Sequence, residues 1–260
     1  MRIMKRGFLI FALALAFVGV RGQKSIQDSS ITMGHLSIVY AASAPGGDLA
    51  DRFGMTNILG GEGGVKFASN FYINGGVRFL FGNVVREKVA GNVVQVIGND
   101  STGYSTMALG ADGRYYSVRY FERGFSIPLT VGKIFPISKR RLNSGIYVEL
   151  GAHFVQHKVS INAIGDNVPY LSKPYLKGYD RLTNGIGLLE GVGYRYFGNN
   201  RFTNFLVGLE FSQNFTKSRR DLNFDTGVRD TQQRLDLLFS AKVGWTFPIY
   251  KSAPEKEYYY

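Results

Sequence analysis

Residues 234–247, RLDLLFSAKVGWTF, alternate with a period of two. The odd positions are Leu235, Leu237, Phe239, Ala241, Val243, Trp245 and Phe247. The even ones are Arg234, Asp236, Leu238, Ser240, Lys242, Gly244 and Thr246. Successive strand side chains point to opposite faces, so this segment reads as a strand with one greasy wall. A soluble strand usually runs about five or six residues. A tilted crossing of a hydrocarbon layer needs about 9–11, and this segment exceeds that.

The pattern recurs. Phe205, Val207, Leu209, Phe211 and Phe215 share one face, as do Phe71, Ile73, Val77, Phe79 and Phe81. Ile146, Val148, Leu150, Ala152 and Phe154 form a third set, and Phe125, Ile127, Leu129, Val131 and Phe135 a fourth. Weaker versions run over 31–41, 58–67 and 185–197, and the weakest carry the most glycine. The count is about eight strands. Connections alternate in length: long near 43–54, 86–116, 162–182 and 217–230, short near 68–70, 138–143 and 198–201. Bacterial transmembrane barrels sort their loops this way, with short periplasmic turns and long outer loops. The expected fold class is therefore all-β, a single closed antiparallel transmembrane barrel over residues 29–250.

Closure is the physical reason. In lipid every backbone N–H and C=O must pair within the protein, and an open sheet edge cannot do so. At about eight strands the interior is just wide enough to be filled by side chains. The expected inward face carries glycines (Gly60, Gly64, Gly76, Gly82, Gly132, Gly151, Gly208, Gly244) beside the charged Glu62, Lys66, Arg78, Glu149, Glu210, Asp236 and Lys242. With His153 and His157 these form the expected lumenal polar network. Mixed signs let the charges pair, where a lone buried charge would cost several kcal/mol. The expectation is a plugged lumen.

The amino terminus, MRIMKRGFLIFALALAFVGVRG, has basic Arg2, Lys5 and Arg6 and an apolar run from Phe8 to Val20. That run is shorter than the ~20 residues of a membrane helix, and it reads as a signal peptide spanning 1–22. Removing it takes four cations from the formal charge of +12, leaving about +8. The chain has no cysteine, which excludes disulfides, thiol nucleophiles and a lipid-anchored amino-terminal cysteine.

The signal, the following QKS, the alternating strands and the final GWTFPIY together resemble small outer-membrane barrels of the OmpA-like transmembrane type. The Gly-Gln junction and tyrosine-rich end resemble Bacteroidota outer-membrane proteins. The resemblance implies a cell outer-membrane location and contact with outer-membrane lipid and lipopolysaccharide. It also implies an aromatic last strand read by the barrel-assembly machinery, a role that Trp245, Phe247 and Tyr250 match. The chain continues through SAPEKEYYY (251–260 with Lys251) as an expected periplasmic tail. Tyr258, Tyr259 and Tyr260 are candidate partner contacts, or simply a frayed end.

Few features point to chemistry. Glu149, His153 and His157 share a face at i, i+4 and i+8, with neighbours about 14 Å apart along the strand. They cannot meet without groups from other strands. His157 and Ser160 resemble a lipid A deacylase pair, but three residues apart they face opposite ways. GGEGG (60–64) and GIGLLEGVG (185–193) lack the strand-to-helix context of a phosphate loop. Glu190 falls on a greasy face; the preferred reading is a bulge that rephases the strand, the alternative a partner contact. Lys133 can snorkel near a periplasmic end. Arg86, Lys88, Lys173, Lys177, Arg181, Lys217, Arg219 and Arg220 scatter over outer loops, where lipid phosphates lie. Lys139, Arg140 and Arg141 mark a periplasmic turn.

No catalytic, metal or cofactor-binding residue is assigned, and no cofactor or nucleic-acid partner is expected. The expected role is structural or interaction-based, as a subunit or accessory of an envelope assembly or secretion complex. The alternatives are an outer-membrane lipid-modifying enzyme and a narrow small-solute channel.

Overall fold

The computed structural model describes residues 29–100, 103–163, 167–198 and 202–249. The signal segment and the tail, with Tyr250, Tyr258, Tyr259 and Tyr260, lie outside them. Ten strands follow in chain order: β1 (Met33–Gly47), β2 (Thr56–Lys66), β3 (Phe71–Gly82), β4 (Val94–Asp100), β5 (Gly103–Leu109), β6 (Tyr115–Pro136), β7 (Gly145–Ala163), β8 (Thr183–Phe197), β9 (Asn204–Ser218) and β10 (Gln233–Ile249).

Eight of them close a barrel. β1 pairs with both β2 and β10, and β3 pairs with β6, so the ring runs β1-β2-β3-β6-β7-β8-β9-β10 and back to β1, antiparallel throughout. Register fixes the shape. His35 faces Gly64, which faces Asn74, then Thr130, Gly151, Leu189, Ser212, Leu238 and finally Pro45. One circuit thus returns to β1 ten residues further on. A stagger of that size over eight strands tilts them by about 40° from the barrel axis.

The alternation holds around this ring. Outward positions are apolar and exposed, for example Leu209 at 64% and Phe239 at 53%, while the next residues along each strand are buried. Two inward glycines show how a narrow lumen is filled. A Cβ on Gly132 would strike the Tyr72 ring, and one on Gly191 would strike the Glu149 side chain. The small residue on one strand is the space for the large residue on its neighbour.

The two ends differ. At the short-turn end, residues 29–32 cross the mouth. Ser30 donates to Asn70, and the Ile31 N–H donates to Asn143. The Lys66 ammonium is buried there on Asn143, Ser30 and two backbone carbonyls. At the long-loop end, β6 and β7 continue past their neighbours, and the hairpin β4–β5 adds to the overhanging part of β6. The longest connection therefore contains two strands that periodicity did not reveal. A short helix α1 (Asp48–Arg52) turns into this mouth and buries Leu49 and Phe53. A 3-10 turn (Pro169–Leu171) and α2 (Lys173–Leu176) cover the rest. Leu49, Phe53, Ile58, Leu80, Val159 and Leu171 belong to one apolar cluster that joins barrel wall and loops.

Candidate functional site: an ionic lumen and an outward carboxylate

Inward positions of five strands meet in the middle of the lumen. Arg78 (β3) donates through Nη1 and Nη2 to both oxygens of Glu210 (β9), at 2.6 and 3.0 Å, and through Nε to Glu62 (β2) at 2.7 Å. Lys242 (β10) lies 3.2 Å from Glu149 (β7), 3.2 Å from Glu210 and 3.4 Å from Glu62. The Tyr72 hydroxyl donates to the other Glu149 oxygen at 3.0 Å. All five charged side chains are buried. A bidentate Arg–carboxylate pair is the strongest and most directional ion pair available. Here it spans the barrel and ties opposite walls.

Toward the short-turn end, Arg195 lies over the rings of Tyr72 and Tyr147 and contacts His35, whose Nε2 sits 2.7 Å from Asn74. Toward the long-loop end, His157 Nε2 is 3.1 Å from Asp236, which also accepts from Thr216 at 2.6 Å. Phe53 of the loop cap stands edge-on over the His157 ring. Glu122 accepts from Thr56 at 2.6 Å. His153 faces Asn214 across Gly187.

Every residue of the expected lumenal network is thus buried, but in separate groups. Glu62, Arg78, Glu149, Glu210 and Lys242 join; His157 pairs with Asp236; Lys66 belongs to the short-turn plug. Glu149, His153 and His157 do not converge. Ser160 pairs with Phe121 in unbroken register and faces away from His157. Sequence reasoning missed His35, Glu122 and Arg195, which lie in weakly patterned or overhanging strand ends. It also missed Arg52, a buried cation of α1 that binds Glu87, Thr183 and the Arg181 carbonyl.

One reading of the sequence is corrected. No bulge rephases β8. Its register with β7 and β9 is continuous, Glu190 faces Leu150 and Phe211, and it is exposed between Leu188 and Val192. A bulge needs an unpaired extra residue, and none is present along β8. Several of the outer-loop cations are paired. Arg181 binds Asp225 and Glu87, Arg220 binds Asp180, and Arg219 donates to Asn184. These latch the loops to one another. Lys88, Lys173, Lys177 and Lys217 remain exposed.

Lys133 lies over the rings of Phe71 and Phe135 near the short-turn end, as snorkelling requires. Both glycine-rich segments are strand. Trp245 is outward and its Nε1 donates to the Phe202 carbonyl at 2.6 Å, while Phe247 packs near the Phe202 ring. In the last loop, burial works to raise the Asp230 carboxyl. The hydrogen bond from Arg234 outweighs it and holds the group below the ordinary carboxylate value.

No family model and no curated relative matches the sequence. Among solved structures the chain is similar to Ail, the attachment invasion locus protein of Yersinia pestis, at 10% identity and a TM-score of 0.39 over 84% of this chain and 99% of that one. It is similar to a major outer membrane protein of Thermus thermophilus at 12% identity and a TM-score of 0.39, covering 83% and 99%. The outer membrane protein OprG of Pseudomonas aeruginosa follows at 10% and 0.35, covering 86% and 99%. The fold assignment rests on the register above.

Proposed function

We propose that the chain is an integral outer-membrane barrel with a structural or interaction role, acting as a subunit or accessory of an envelope complex. The short-turn end then faces the periplasm and the long loops face outward. The observation that carries this reading is the lumen. Its cross-section is occupied by the Arg78 and Lys242 ion cluster, with a polar plug below and an apolar loop cap above. Such an interior favours a rigid body over a conduit. The apolar outer band supports the membrane location, since exposed apolar area on this scale marks a lipid or protein contact. A lipid-modifying activity would need a nucleophile beside His157, and the ring is instead paired with Asp236 beneath Phe53.

Two measurements test the reading. Purified barrel reconstituted in planar bilayers is expected to give no ion-selective current. Gentle detergent extraction from native membranes is expected to yield a particle larger than the single chain. A steady conductance would favour the channel. A monodisperse single barrel under gentle extraction would defeat the interaction role.

A further inference from the structure

Glu190 is the eighth of the fifteen residues of β8, so it stands about halfway up the wall. Its outward neighbours are Leu188 and Val192 along the strand, with Leu150 and Phe211 beside it. A carboxylate on the lipid face is most costly at mid-depth. An ionisable group at that depth is retained where it meets a partner of complementary charge.

Other polar groups on this wall lie apart from Glu190. Gln213, one outward step beyond Phe211, is partly exposed, and nearer the long-loop end Asn184 and Gln156 hydrogen-bond to each other. These are separate polar spots, since the apolar rank Phe154, Ile186 and Phe215 lies between Gln213 and the Asn184–Gln156 pair. Glu190 is the outward charge at mid-height of this wall. The opposite wall, β1 to β3, carries Ile38, Leu59, Ile73 and Val77 outward, with a polar pair of its own, Tyr40 and Asn57, and no outward carboxylate among the described residues of its strands.

We infer that the β7–β9 wall around Glu190 docks a second integral membrane protein, one that presents a lysine or arginine to Glu190 at mid-membrane depth. The inference rests on the interaction role proposed above and names its surface. Charge complementarity selects the occupant. Among the described residues, the outward cations lie toward the two ends of the chain's own wall: Lys133 and Arg141 at the short-turn end, and Arg119, Arg123, Lys158, Lys217 and Arg219 at the other. Copies of one protein inserted in one membrane share an orientation, so equal heights meet. A second copy would bring only apolar side chains or another Glu190 to this level.

The test uses the full chain in native membranes, with a photo-crosslinking residue at position 150 or 211 and Glu190 intact. The expected adduct joins a different protein, through a peptide of its membrane-spanning segment that carries Lys or Arg. Its yield should fall at least tenfold in Glu190→Leu and Glu190→Lys, with each variant's folding checked by its heat-modifiable gel shift. A crosslinker at position 73 on the opposite wall should give no such adduct. An adduct between two copies, an adduct confined to lipid, a partner peptide without a cation, or a yield unchanged by Glu190→Leu would each overturn the inference. If the large particle persists while positions 150 and 211 stay unlinked, the docking surface is wrong and the interaction role stands. If gentle extraction gives a lone barrel, that role itself fails.

Discussion

The wall of this barrel holds carboxylates on both of its faces, and they are treated in opposite ways. Inside, Glu62, Glu149 and Glu210 each lie within 3.4 Å of Lys242, and two of them also bind Arg78. Outside, Glu190 faces Leu150 and Phe211. Closure brings five inward strands within reach of one another, so an inward charge finds its counterion in the same chain. An outward side chain has neighbours only along the sheet surface. The difference shows that one chain can complete its interior alone and still hold a wall carboxylate whose cross-strand neighbours are apolar.

The sharpest way to break this comparison is to remove the inner hub. Arg78→Leu leaves Glu62 and Glu210 buried with Lys242 alone, and removing one partner of a buried ion pair costs about 3–5 kcal/mol. We expect a lower urea midpoint for the barrel in detergent or loss of folding into lipid vesicles. A loss below about 1 kcal/mol would mean that water reaches the cluster.

The next effect is steric. Gly191→Val places branched carbon where the Glu149 carboxylate sits. Overpacking of this kind costs about 1–3 kcal/mol, read by the same unfolding measurement, and Glu149→Ala in the same chain should recover part of it. If the single variant is neutral, the lumen has room that the geometry denies.

The outer carboxylate is expected to behave in reverse. Glu190→Leu should leave the isolated barrel as stable or more stable, by about 1 kcal/mol, because a lipid-facing charge is removed. A destabilised isolated barrel would mean that Glu190 has a structural partner within the chain, and the contrast between faces would fall.

The smallest effect belongs to the loops. Asp230 is held below its ordinary value when folded, so its contribution with Arg234 is intact above the ordinary carboxylate range. It is lost as pH falls through the depressed folded value. Protease cleavage within 219–232 should therefore rise on acidification, and Asp230→Asn should remove that rise.

Much of this was legible in the chain. The outward faces of β9 and β10 follow directly from Phe205 to Phe215 and from Leu235 to Phe247, because a two-residue period survives whatever the sheet curls into. The five charges of the central cluster were identified by the same phase. Their grouping was not, since Arg78 and Glu210 lie 132 residues apart and meet only across a closed ring. The overhang of β6 and β7 and the hairpin β4–β5 were hidden for another reason. They stand clear of the apolar band, so no greasy face repeats along them. Glu190 was misread because local pattern suggested that an outlier reflects a slip in phase, whereas pairing on both sides holds β8 in register.

Local chemistry by itself determined the eight barrel strands, most of their inward and outward positions and the alternation of long and short connections, since each depends on neighbours in sequence. Tertiary structure decided the ten-residue stagger, which inward charges share counterions and that one carboxylate stays outside. Those depend on which strands become neighbours when the sheet closes, a choice made by the whole ring at once.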